Sequence, residues 1–154
     1  MARTGGEKTI AENRRARFDY QLLERYEAGL VLTGTEVKSL RQGRATLAQA
    51  YAEVRDGEVW LHGAEIAVYD QGNRANHEPS RPRKLLLHRR EIDSLYGKVR
   101  EKGLTLVPTR LYFKDGRVKV ELALARGKDR LDKRRDLAER DAQRQIERAL
   151  KARR

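Results

Sequence analysis

Histidine, serine and carboxylate are the side chains of this sequence that could do acid–base or nucleophilic chemistry, and their spacing argues against it. The three histidines, His62, His77 and His88, are far apart and fit no HExxH or other ligand spacing. The three serines, Ser39, Ser80 and Ser94, lie outside any G-x-S-x-G elbow. Neither a Walker A loop nor a G-x-G-x-x-G turn is present. Cysteine is absent, which removes thiol nucleophiles, thiolate metal sites and disulfides. The carboxylates nearly all stand close to Lys or Arg in the sequence, as on a solvated charged face. The expectation is a protein that is not an enzyme and uses no metal or cofactor. A nuclease built on His88 and its neighbouring arginines is the minor rival, because a site needs convergent geometry that the sequence does not announce.

Binding of phosphate is the chemistry the residues favour. Lys and Arg number 35 against 23 Asp and Glu, a net charge of +12. From Arg126 to the end there are 12 basic and 6 acidic residues, so half the net charge sits on the tail and half on the body. Cations recur at separated points: "NRRAR" at 13–17, "EVKSLR" at 36–41, "SRPRK" at 80–84 and "HRRE" at 88–91. Any one such cluster can be a solvated face; together they suit a polyanion. The single Trp and two Phe offer little for stacking a row of bases. Recognition of folded RNA by shape and backbone is therefore expected over single-strand stacking. No stretch approaches the roughly 20 apolar residues of a membrane span, and the N-terminus has no apolar h-region. A soluble cytoplasmic protein with no membrane partner is expected.

The elements that would hold these cations read as mainly β. At 154 residues one domain is the simplest reading. Residues 1–11 read as a flexible arm, 12–126 as the domain and 127–154 as a basic tail. Phe18, Tyr20 and Leu22 alternate with polar residues, a half-buried strand. Thr35 to about Arg41 suits a short helix capped by Thr35 and stopped by Gly43. Asp56-Gly57 and Asp115-Gly116 each join two β-rich runs into a hairpin. "YDQGNRANHEPSRPRK" between them reads as a long mobile loop. Ile92, Leu95, Tyr96 and Val99 recur at helical spacing up to a stop at Gly103. About six strands with inserted helices predict an OB-like small β-barrel.

Five blocks occur in order: "NRRARFDY", "YEAGLVLTGTEVKSLRQGRA", "RDGEVWL-HGAEI", "PSRPRKLLLHRREIDSLYGKV" and "GKDRLDKR". Together they resemble the SmpB (small protein B) family, from about Ile10 to Arg135. The resemblance implies an OB-fold barrel with flanking helices and a basic surface for the tRNA-like domain of tmRNA. It implies delivery of alanine-charged tmRNA to ribosomes stalled on a broken message, with the protein standing where an anticodon arm would. The partners implied are tmRNA, the ribosome at its small-subunit decoding region and message channel, and elongation factor Tu; a monomer is implied too. The tail would be disordered when free and helical when bound along the empty message path.

Carried over by position, the resemblance places tmRNA contacts on Asn13, Glu27 and Leu86. Bland readings stand beside them: Asn13 as a turn cap, Glu27 as a turn carboxylate, Leu86 as core. Three successive leucines cannot share one face of a strand, so Leu86 can point outward between Leu85 and Leu87. A neutral Asn and a carboxylate on a basic face suit bases or 2′-hydroxyls rather than phosphate. Lys38, Arg41, Arg83 and Lys84 are expected on phosphates from their charge. In the tail, Gly127, Lys128, Asp132, Lys133 and Arg134 carry over as ribosome-binding residues. Asp129 and Leu131 depart from the family pattern, which often has Lys and His there, and do not carry over. The tail's residues are good helix formers, but its apolar stripe (Ala138, Ala142, Ile146, Ala149, Leu150) is thin. A ribosomal structural protein and a membrane-surface protein are the other rivals, the second poorly served by so thin a stripe.

Overall fold

The computed structural model describes residues 7–72, 75–128 and 130–152, without the side chains of 130–132. Nine strands and four helices follow in chain order. They are β1 (Glu7–Glu12), α1 (Ala16–Asp19), β2 (Tyr20–Leu30), α2 (Gly34–Arg41), β3 (Ala45–Thr46), β4 (Tyr51–Arg55) and β5 (Glu58–His62). Then come β6 (Glu65–Ile66), β7 (Arg83–Leu86), α3 (Arg89–Lys102), β8 (Thr105–Lys114), β9 (Arg117–Gly127) and α4 (Arg130–Ala152).

The main sheet runs β1-β8-β4-β5-β7-β2-β9, and an added β8–β9 pairing closes β8, β4, β5, β7, β2 and β9 into a ring. Its pairings are antiparallel. Closure removes the open edges that an antiparallel sheet would otherwise expose, and gives the small barrel expected from the strand count. The interior is filled by alternate residues, among them Val59, Leu61, Leu85, Leu106, Leu111, Val120, Leu122 and Leu124. From α3 the wholly buried Leu95 joins this core, with Ile92 and Val99 packed against it.

Both hairpins form at the Asp-Gly dipeptides. Asp56 and Gly57 have φ of 53° and 75°, Asp115 and Gly116 of 50° and 79°. Two successive positive φ values match the right-handed twist of the flanking strands, and Asp-Gly supplies them cheaply. The helix α3 stops where expected, with Gly103 left-handed at φ 63°.

Several expectations shift. Residues 7–11, read as part of a flexible arm, pair with β8 as most of β1; Met1–Gly6 lie outside the described residues. Phe18 belongs to the single turn α1 rather than to the strand, which starts at Tyr20. Helix α2 starts one residue early, and its cap is Thr33, whose N–H donates to Glu36 Oε1 at 2.8 Å. The loop before β7 is held rather than mobile in its described part. Asn76 closes a turn by accepting from Tyr69 N–H (2.8 Å) and donating to Tyr69 O (2.7 Å). His77 Nε2 donates to Ile66 O at 2.8 Å, and its Nδ1 lies 2.9 Å from the Thr35 hydroxyl.

Candidate nucleic-acid interface

One outer face of the barrel carries Glu27, Gly29 and Leu86 in sequence across two strands. Glu27 and Gly29 are two apart on β2, so they share a face, and Gly29 pairs with Leu86 of β7. Leu85 is buried while Leu86 is 52% exposed, as strand alternation requires. Leu86 and Lys119 both lie over Gly29: a Cβ built there would meet Leu86 Cβ at 3.5 Å and Lys119 Nζ at 3.8 Å, ordinary contact distances. A carboxylate, an exposed leucine and an ammonium group thus stand side by side. Lys119 is a residue that sequence reasoning missed; its alternation with Val118 and Val120 placed it outside, but not beside Glu27.

Glu27 is held from below. Its Oε2 accepts from the Tyr112 hydroxyl at 2.6 Å and from Lys114 Nζ at 3.2 Å. The hydrogen bond from Tyr112 is the main reason its acidity is raised, against a smaller opposing effect of burial, with Lys114 and Lys119 adding to it. The carboxylate is therefore ionised near neutral pH.

Asn13 belongs to the same stripe by way of a bulge. Pairing of β8 with β9 slips between Pro108 and Arg110, leaving Thr109 as the extra residue. Asn13 fills this break: its backbone N–H donates to Thr109 O (2.8 Å) and its side-chain amide to Pro108 O (3.1 Å). The Thr109 hydroxyl donates to Glu121, which also accepts from Arg25 at 3.1 Å and lies across from Glu27. Asn13, Thr109, Glu121, Glu27 and Leu86 therefore form one connected path. A groove of about 410 Å³ opens at its Asn13 end, lined by Arg14, Arg17, Arg25, Arg110 and, from α4, Arg140.

The cations divide by exposure. Lys38 and Arg41 are exposed and three residues apart on α2, with Lys38 Nζ 5.4 Å from the centre of the Tyr69 ring. Among the described residues, no carboxylate lies within ion-pair reach of Lys38, Arg41 or Lys119. Lys84 is half-buried and paired with Glu58 at 3.4 Å. Arg83 overturns its expected role. It is 0% exposed, with Nε donating to Glu36 Oε2 at 2.7 Å, Nη1 to Ala64 O at 2.9 Å and Nη2 to Pro79 O at 3.0 Å. A guanidinium wholly buried and turned to internal acceptors cannot meet a phosphate from solvent. Arg81 joins it on the buried Glu36, at 2.6 Å. Burial alone would push the Glu36 carboxyl up, but the bonds from Arg81, Thr33 N–H and Arg83 win and hold it low.

The tail is helical from Arg130 to Ala152, and its first turns lean on α1. Gly127 is the last residue of β9, and Lys128 N–H donates to Asp19 O at 2.9 Å. Lys128 Nζ donates to Arg17 O at 2.7 Å and pairs with Asp136. Lys133 reaches Asp19 at 3.3 Å, and both Lys133 and Arg140 sit over the Phe18 ring at 5.6 Å. Arg134 is exposed and joins none of this. Asp129 lies outside the described residues, as do the side chains of Leu131 and Asp132.

The family model described as SmpB protein matches residues 10–152. The chain belongs to the SmpB family. Its relatives of that family include the SsrA-binding protein of Acidothermus cellulolyticus, 64% identical over 150 residues, covering 97% of this chain and 94% of the relative. The SsrA-binding protein of Thermobifida fusca is 63% identical over 149 residues, with 97% and 93% covered. A solved chain described as "tmRNA-SmpB: a journey to the center of the bacterial ribosome" superposes with a TM-score of 0.65 at 53% identity, over 80% of this chain and 90% of that one. SmpB membership fits the ring of strands. Among the described residues no group of three or more His, Cys, Asp and Glu could hold a metal ion. Among the described residues no helix is long and apolar enough to cross a membrane.

Proposed function

We propose that this chain is a non-enzymatic adaptor that binds the tRNA-like domain of tmRNA and brings it to stalled ribosomes for trans-translation. The observation that carries this reading is the juxtaposition of Glu27, Leu86 and Lys119 on one face. The three offer an acceptor for a base or ribose donor, an apolar surface for a base or sugar and a cation for phosphate. Asn13 marks the other end of the same surface, while Lys38 and Arg41 add unpaired charge from α2. The names of the relatives, and the description of a solved relative that joins tmRNA, SmpB and the bacterial ribosome, support the choice of partners.

In this reading the tail enters the message channel of the small subunit and senses that it is empty, with Gly127, Lys128, Asp132, Lys133 and Arg134 at its root. Elongation factor Tu joins through the aminoacylated tmRNA, and the chain acts as a monomer in the cytoplasm. The test is a gel shift with tmRNA against a tRNA of similar size, at two salt concentrations. Tighter binding to tmRNA is expected at both, with affinity for either RNA falling as salt rises. Equal affinity for the two RNAs would overturn the reading.

A further inference from the structure

Tyr112 is placed oddly for an aromatic residue. Its neighbours Leu111 and Phe113 pack toward the core, so Tyr112 stands on the outside of the barrel, yet it is only 2% exposed. Polar side chains cover it. Arg110 stacks on the ring with its guanidinium carbon 3.9 Å from the centroid, while Thr9 and Lys119 flank it across the strands. The single polar atom of the ring, its hydroxyl, donates to Glu27 Oε2 at 2.6 Å. A phenylalanine would keep the ring and its stack with Arg110; the hydroxyl adds one directed bond.

We infer that Tyr112 is a positioning residue for RNA recognition: with Lys114 it occupies Glu27 Oε2 and leaves Oε1 with lone-pair capacity to accept from an RNA base or 2′-hydroxyl beside Leu86. This rests on the proposed tmRNA-binding reading. A carboxylate offers about four lone-pair positions over its two oxygens. Two donors at Oε2 fix the plane of the group, whereas among the described residues Oε1 has only the long contact to Lys114 at 3.4 Å. Holding the acceptor in place before binding removes the side-chain ordering that the complex would otherwise have to supply. Burial, and then the bond to Glu27, push the Tyr112 phenol upward, so it is a donor at any physiological pH.

The test compares affinity for a transcript of the tRNA-like domain among the wild type, Tyr112→Phe, Glu27→Gln and the double variant. Glu27→Gln is expected to weaken binding roughly tenfold, as loss of a charge-assisted bond does. Tyr112→Phe is expected to weaken it several-fold alone and not at all when added to Glu27→Gln. Carbon-detected titration of Glu27 should show its carboxyl rising toward the ordinary value of about 4.3 in Tyr112→Phe, a change that a packing role would not produce. Lys114→Gln, on a side chain away from the core, should repeat the pattern more weakly. Wild-type binding by Tyr112→Phe alongside a weakened Glu27→Gln overturns the positioning role, as does additivity of the two losses. Unchanged binding by Glu27→Gln overturns the assignment of Glu27 itself.

Discussion

Arg83 and Lys84 are neighbours in the chain, yet strand alternation sends one guanidinium inward and one ammonium outward. Inside, Arg83 finds Glu36, itself 0% exposed, and three backbone carbonyls. Removing one partner of a buried ion pair strands the other, at a cost of about 3–5 kcal/mol. Arg83→Leu should therefore lower Tm sharply. Lys38→Ala, on an exposed side chain, should leave Tm unchanged and reduce the salt slope of tmRNA binding by about one charge. Thermal melts and a salt series on both variants check this; a near-native Tm for Arg83→Leu would contradict the buried role. The outward Leu86 was legible from its three-leucine run because alternation is a local property. Arg83 was not, since its carboxylate partner is 47 residues away and no local signal names it.

Among the elements, α4 is the one whose length exceeds its contacts. Lys128, Lys133, Asp136 and Arg140 tie its start to α1 and Phe18, whereas every described residue from Asp141 onward is exposed. The apolar side chains of that distal part, Ile146 and Leu150, are 55% and 58% exposed. Good helix formers without tertiary burial give a marginal helix, so the distal turns depend on a partner. Deleting Asp141–Arg154 keeps the docked turns and removes the rest. The truncated chain should bind tmRNA like the full one but fail to rescue stalled ribosomes in a reconstituted translation assay. Loss of tmRNA affinity would instead place part of the RNA surface on the distal helix. The helical bias was readable from composition; the docking onto α1 was not, because it joins residues more than a hundred apart.

For the whole molecule, the buried Glu36 cluster links α2, the loop before β7 and β7 itself, so its ionisation bears on global stability. The folded Glu36 carboxyl lies below its ordinary value: burial opposes this, and bonds from Arg81, Thr33 and Arg83 outweigh burial. A depressed carboxylate stabilises fully above the unfolded value of about 4.3 and loses that contribution as pH falls through the folded one. Glu36→Gln should thus lower Tm at pH 7, and the gap from wild type should narrow only in acid. Melts from pH 7 to pH 3 check the sign; a gap that stays constant throughout would contradict it.

Sequence alone determined what depends on neighbours in the chain. The Asp-Gly turns, the stop at Gly103, the alternation that turns Leu86 outward and the helical bias of the tail all follow from backbone preferences within a few residues. Tertiary structure decided what depends on closure of the barrel. Pairing β2 with β9 and β9 with β8 sets Tyr112 beneath Glu27, 85 residues apart, and Lys119 beside them. The same closure turns Arg83 from a surface cation into a buried clamp. Charge sets which side chains can meet phosphate; only the fold's long-range pairing sets which of them stay exposed to do so.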